Sequence, residues 1–251
     1  MQKKNTSWGG VAEWYNELLE KEGTYQKEVV LPNMLRVLHL ANTDTVLDLA
    51  CGTGFFSRAF AEVAGKVIGV DVAKDLVAIA KQQPQKNIAY KISPSHQLDF
   101  LESRSVDKIA LVLAAQNIED LQKTFAECAR VLKPGGVMII VLNHPAFRIP
   151  KRSSWGWDEV EKAQYRRIDG YMSEATEKIQ MHPGDKPSEY TISFHRPLQV
   201  YFKDLKRGGF AVRGLEEWIS HKRSEPGPRA AAENKIRKEI PMFLMMEAIK
   251  L

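Results

Sequence analysis

Cysteine is scarce. Cys51 and Cys128 are the only two among 251 residues. Two thiols make neither a disulfide framework nor a tetrahedral metal site by themselves, and no metal is expected. No apolar run reaches the length of a membrane-crossing helix. The stretch MQKKNTSWGGVAEWYNE lacks the apolar core of a secretory signal, so the expectation is a soluble, cytoplasmic protein with no membrane partner. Internal repeats and low-complexity tracts are missing too. With 44% hydrophobic and 27% charged residues, the composition is ordinary for a globular chain and excludes disorder over most of the length.

A surplus of one charge is confined to one segment. The net formal charge is −1 over residues 1–45, +1 over 46–143, 0 over 144–195 and +5 over 196–251. A basic segment can attract nucleic acid or anionic substrates. Here the basic residues alternate with Glu and Gly, and no aromatic platform is interleaved. The segment reads as a solvated surface, and nucleic acid is not an expected partner.

What is present is an alternation of strands and helices, the pattern of a parallel sheet covered on both faces. Strands are expected at Thr45–Ala50, Lys66–Asp71, Ile88–Ile92, Val106–Ala114 and Val137–Asn143. Helices are expected at Gly54–Ala64, Ala73–Gln83 and Asp120–Leu132, the last stopped by Lys133-Pro134-Gly135-Gly136. Residues 8–40 precede this core as two helical segments. The alternation breaks over 144–195, with a polar helical stretch at Asp158–Arg167 and a turn at His182-Pro183-Gly184-Asp185. So long an excursion from an α/β core usually carries function. A helix at Pro197–Gly208, a strand at Phe210–Ser220, a helix at Ala230–Glu239 and a strand at Met242–Lys250 complete the chain. The expected organisation is one domain: a helical lid at 1–45, a core at 46–143, a cap at 144–195 and closing helix–strand pairs at 196–251.

The loop Gly52-Thr53-Gly54 follows the first strand. Two glycines there leave backbone room for a ligand. Asp71, at the end of the second strand, is placed to accept both hydroxyls of a ribose. Val72 and the segment Ser95-His96-Gln97-Leu98 are placed beside an adenine. A nicotinamide dinucleotide calls for a third glycine where Ser57 stands, and for a pyrophosphate where Asp48 puts a carboxylate. A cofactor bearing an ammonium and a sulfonium suits Asp48 better.

These residues carry a resemblance. Asp48-Leu49-Ala50-Cys51-Gly52-Thr53-Gly54 looks like the first motif of class I S-adenosylmethionine-dependent methyltransferases. Asp71 matches that family's ribose-binding acid, and Leu132-Lys133-Pro134-Gly135-Gly136 matches its turn before the fifth strand. The resemblance covers about residues 40–143 strongly. It implies an α/β, Rossmann-like sheet of seven strands in the order 3-2-1-4-5-7-6, the last antiparallel, with helices on both faces. It implies S-adenosylmethionine as cofactor, with Tyr15, Asp48, Ala50, Gly52, Gly54, Asp71, Val72, Ser95, His96 and Ala114 as the binding residues. The family often has an acid near the adenine amino group; here Pro94 stands in its place, so Ser95, His96 or backbone groups must read the adenine.

The segment Ala114-Ala115-Gln116-Asn117-Ile118-Glu119 resembles the small-molecule methyltransferases of quinone and natural-product biosynthesis. Val11-Ala12-Glu13-Trp14-Tyr15-Asn16 resembles their first helix, which makes Tyr15 a lid residue, with helix packing as the plainer role. The expected reaction is methyl transfer to an oxygen or nitrogen of a small molecule by in-line displacement. His195 and His144, at the two junctions of cap and core, are the candidate catalytic bases. Tyr165, Arg166, Arg167 and Tyr171 are candidate pocket residues. The alternatives are an RNA or protein methyltransferase that docks through the basic C-terminal part, a nonenzymatic cofactor-binding protein, and a nicotinamide-dependent oxidoreductase.

Overall fold

The computed structural model describes Trp8, residues 11–181 and residues 190–251. The turn expected at His182–Asp185 lies outside the described residues.

Two helical elements come first: α1 (Ala12–Glu20), then a π-helical turn (Gln26–Val30) that runs into α2 (Leu31–Leu38). The central sheet is built from β1 (Thr45–Leu49), β2 (Lys66–Asp71), β3 (Ile88–Ile92), β4 (Val106–Val112) and β5 (Leu132–Asn143), with α3 (Phe55–Ala61), α4 (Lys74–Gln82) and α5 (Leu121–Val131) between strands. The cap supplies β6 (Ser153–Asp158), β7 (Ala163–Ile168), β8 (Ala175–Gln180) and β9 (Tyr190–His195). Then follow α6 (Leu198–Arg207), β10 (Phe210–Trp218), α7 (Ala230–Glu239) and β11 (Phe243–Lys250).

The spatial order is β10-β11-β5-β4-β1-β2-β3. Strands β1 to β5 pair in parallel, and β11 runs antiparallel to both β5 and β10. Counting only the strands of this sheet, that is the expected 3-2-1-4-5-7-6.

Each central strand alternates its side chains between two cores, as the pleat requires. Leu47 and Leu49, Ile109 and Leu111, and Ile140 and Leu142 join a cluster that includes Phe125 of α5 and Tyr201 and Leu205 of α6. Val46, Ala110 and Val112, and Ile139 and Val141 join the opposite cluster, which includes Met34 and Val37 of α2 and Phe56 and Phe60 of α3. The centre of the sheet is therefore buried on both sides, which is why its central strands read as near-continuous apolar runs.

Two expected elements differ. Lys133-Pro134-Gly135-Gly136 does not separate helix from strand; it lies within β5. Val106 pairs with Leu132 and Lys108 with Val137, so the four residues 133–136 bulge out between them, with Gly135 at φ 75°. The stretch Asp158–Arg167 is not helical but the turn and second strand of a hairpin, β6–β7. Asp158 Oδ1 accepts the N–H groups of Val160 and Glu161 at 2.9 and 3.0 Å, and this side-chain turn displaces a helical start. Trp155, Trp157 and Tyr165 then favour the half-covered strand surface. Among the described residues of the cap, the strands form two small antiparallel pairs, β6–β7 and β8–β9.

Candidate functional site

β1 ends at Leu49. The chain then turns through Ala50 (φ 59°), Gly52 (φ 56°) and Gly54 (φ 78°) before α3 begins. At Ala50 this left-handed backbone costs about 1 kcal/mol, a cost glycine does not carry. A Cβ on Gly54 would stand 2.3 Å from Tyr90 Oη, because the tyrosine of β3 occupies that space.

Asp71 ties this loop to β2. Its Oδ2 accepts the Gly52 N–H at 2.9 Å, and its Oδ1 accepts the Ala73 N–H at 2.8 Å. Burial pushes its pKa up, and these backbone donors oppose the rise. A carboxylate offers about four lone-pair positions, so two remain for a vicinal diol.

Asp48 stands behind the loop rather than on an open wall. It is 2% exposed, and the Ser57 hydroxyl donates to its Oδ2 at 2.5 Å. Burial pushes its pKa up to about 7; the Ser57 hydrogen bonds oppose this, and the charge of Asp71 adds to it.

A cavity of about 500 Å³ opens at the C-terminal ends of β1, β2 and β4. Ala50, Gly52 and Asp71 lie along it at β1 and β2. Val72, Leu76, Pro94, Ser95 and His96 form a second wall, and Leu113, Ala114, Asn117, Ile118 and Glu119 a third. Trp8 and Tyr15 add an aromatic wall, their ring centroids 5.1 Å apart. Burial first, and the charge of Asp71 second, push the Tyr15 pKa up to about 12, so the phenol stays neutral. Val72 keeps 55% of its surface exposed at this wall, an apolar shelf left uncovered by the chain. The Ser95 hydroxyl pairs with Thr124 Oγ1 at 2.8 Å. Thr124 itself donates to Asp120 O, so the Ser95 proton is directed at Thr124 and its lone pairs stay available.

The structure thus brings Tyr15, Ala50, Gly52, Asp71, Val72, Ser95, His96 and Ala114 to one cavity. Gly54 and Asp48 support its loop from behind. His144 and His195 do not line it. His144 Nε2 bonds Glu217 Oε1 at 2.7 Å, and its Nδ1 accepts the Ala146 N–H at 3.2 Å. Burial lowers its pKa, outweighing the Glu217 carboxylate. His195 Nε2 bonds the Tyr171 carbonyl at 2.8 Å. Of Tyr165, Arg166, Arg167 and Tyr171, none lines this cavity.

Sequence reasoning missed Trp8 and the residues that dock the cap. Asn117 Nδ2 donates to Ile192 O at 2.8 Å. Arg196, 6% exposed, donates through Nη2 to Ile118 O at 2.9 Å and Glu119 O at 2.6 Å. A buried arginine has no linear signature, so no pattern could have marked it.

The wall fits an adenosyl group with a cationic tail: an acid with lone pairs to spare, an uncovered apolar shelf beside it and a tight glycine turn. The strand order is that of the class I S-adenosylmethionine-dependent methyltransferase fold, and the wall lies where that fold opens its cavity. Residues 47–140 match the family described as "Methyltransferase domain". The chain is 33% identical over 105 residues to a demethylmenaquinone methyltransferase of Oceanobacillus iheyensis, covering 39% of this chain and 44% of that one. It is 31% identical over 124 residues to an N-demethylindolmycin N-methyltransferase of Streptomyces griseus, covering 45% and 52%. The chain thus spans about half the length of these relatives. A solved S-adenosylmethionine-dependent methyltransferase of Mesorhizobium loti superposes with a TM-score of 0.70 at 26% identity, covering 90% of this chain and 98% of that one. Among the described residues, no helix is long and apolar enough to cross a membrane, and no group of three or more His, Cys, Asp or Glu is placed to hold a metal ion.

Proposed function

We propose that the protein transfers a methyl group from S-adenosylmethionine to an oxygen or nitrogen of a small molecule. The observation that carries this is the Asp71 carboxylate on the cavity wall, held by Gly52 and Ala73 yet keeping lone pairs free. S-adenosylmethionine, when bound, supplies a methyl group on a sulfonium. In this reading Asp71 accepts the ribose hydroxyls. The turn Ala50–Gly54 admits the methionine part, and Asp48, through Ser57, holds that turn in shape. Val72 and His96 flank the adenine, and the Ser95 oxygen accepts from its amino group in place of the acid that Pro94 replaces. Ala114 bounds the site on the β4 side, and Tyr15 excludes water over the glycine loop.

The small-molecule acceptor is supported by the names of the two relatives above, one of which is an N-methyltransferase. We place the acceptor between the cavity's β4 wall and the cap at 144–195, because Asn117 and Arg196 fasten the cap there. A base at His144 or His195 is not part of the proposal, since neither ring reaches the cavity. Glu119, a lining carboxylate on the β4 side, is able to take a proton from an acceptor that needs one.

The test is calorimetry with S-adenosylmethionine and S-adenosylhomocysteine, followed by mass analysis of an acceptor panel. Binding of both with a mass gain of one methyl on an acceptor is the expected outcome. No heat from either at millimolar concentration rejects the proposal.

A further inference from the structure

A second, smaller cavity of about 50 Å³ lies on the same edge of the sheet, beyond β5. The register fixes its place. Phe243, opening β11, pairs with Asn143 at the end of β5, and the Met242 N–H donates to Trp218 O at the end of β10. The cavity walls come from just beyond these strand ends, from the β6–β7 hairpin, from Arg237 of α7 and from Tyr25.

Three arginines, Arg148, Arg166 and Arg237, meet there, and no acid lines the wall. Arg237 is engaged by Ser224 and lies 4.0 Å from Glu233. Arg166 donates to Phe147 O at 2.8 Å and Ser153 Oγ at 2.7 Å, and its guanidinium sits 4.9 Å from the centre of the Trp155 ring. Arg148 differs from both. It is half-buried, and among the described residues no carboxylate or hydrogen-bond acceptor pairs with its guanidinium. Burial draws its pKa down, and its charge, after burial, draws Arg166 down as well. A partly desolvated cation beside a second cation is unfavourable until a counter-charge arrives. The Tyr25 hydroxyl, paired with Ser220 Oγ at 3.2 Å, adds a neutral polar group to the same wall.

We propose that this pocket is an oxyanion site that takes a phosphate or carboxylate group, with Arg148 as its principal ligand and Arg166 and Tyr25 beside it. A guanidinium fork matches such a group bidentately. Two sources share this chemistry: a free anion, or an anionic group on the methyl acceptor. The second rests on the methyl-transfer reading above; the first does not. Phe147 and Trp155 on the wall suit an anion attached to an apolar body.

The experiment titrates the full chain with inorganic phosphate and, separately, with phenyl phosphate at constant ionic strength. Tryptophan fluorescence and thermal unfolding are the readouts, and Trp155→Phe removes the local fluorescence component. Saturable binding is expected, weakened about tenfold or more in Arg148→Gln and less in Arg148→Lys. Arg166→Gln, expected to weaken binding too, keeps the test open should Arg148→Gln fail to fold. Tighter binding of phenyl phosphate assigns the site to an anionic acceptor; equal binding assigns it to a free anion. No saturable response up to about 50 mM, or a response in both glutamine variants equal to that of the wild type, overturns the proposal. S-adenosylhomocysteine calorimetry on the same samples separates the two readings. Retained cofactor binding without an anion response overturns only the oxyanion site, and the converse overturns only the cofactor site.

Discussion

The Asp71 carboxylate accepts the Gly52 N–H at 2.9 Å, and through this bond the end of β2 holds the loop that leaves β1. The same oxygen pair thus shapes the glycine turn and faces the cavity. In the proposed function, structure and ligand binding share this one residue.

Asp71→Ala removes the acceptor from two backbone N–H groups and the acid proposed for the ribose. Stability is expected to fall by about 1–3 kcal/mol. Affinity for S-adenosylhomocysteine is expected to fall by about 100-fold or more, two charge-assisted bonds being lost. Calorimetry reads the affinity and urea unfolding the stability; an unchanged affinity rejects the ribose assignment.

Two glycines with nearly equal φ separate backbone strain from collision. Gly135→Ala, at φ 75° with nothing within 4 Å of the new Cβ, is expected to cost about 1 kcal/mol. Gly54→Ala, at φ 78° with Tyr90 Oη 2.3 Å and Cζ 2.9 Å away, is expected to cost about 1–3 kcal/mol more. Equal urea midpoints for the two variants would show that Tyr90 yields freely.

Asp48 gives a pH dependence. Its carboxyl titrates near 3.8 when free and near about 7 when buried in the fold. Between those values the folded chain holds a proton that the unfolded chain has lost. Stability therefore falls as pH rises from about 4 to about 7, and the contribution is gone above that. Asp71 is raised as well, so the slope is not from Asp48 alone. The difference between wild type and Asp48→Asn isolates the Asp48 share. The asparagine oxygen still accepts from Ser57, and the variant is expected to show a shallower fall in urea midpoint over that window. Parallel curves would place the Asp48 pKa near its ordinary value.

Arg196→Met removes the bonds to Ile118 O and Glu119 O while keeping an apolar stem over the same site. A loss of about 1–3 kcal/mol is expected. Faster amide exchange in β9 than in β1 would show that the loss is local to the cap. Uniform exchange across both strands would show that Arg196 acts on the whole fold.

Local chemistry made the core legible. Lys66–Asp71 is a strand as read, because a strand buried on both faces writes itself as an apolar run; Ile88–Ile92, an edge strand with only Tyr90 buried, is also a strand as read. The Ala230–Glu239 helix was legible from its own residues although it buries none of them. The hairpin at 153–168 was not. Its polar second strand matched a helical pattern, and the Asp158 turn that overrides it is a matter of side-chain geometry. The two junction histidines had the right residue type and the right place in the chain. Their rings are taken up by Glu217 and by the Tyr171 carbonyl, partners 73 and 24 residues away.

The glycine turn and the acid at the end of β2 were determined by sequence alone, because backbone freedom and apolar alternation act over a few residues; the strand order was implied only by the family resemblance. The tertiary structure decided which polar groups reach the cavity, that Asp48 stands behind it, and that, among the described residues, Arg148 lies without a partner beside Arg166. Those outcomes depend on desolvation and on contacts between segments far apart in the chain, and no short stretch of residues encodes them.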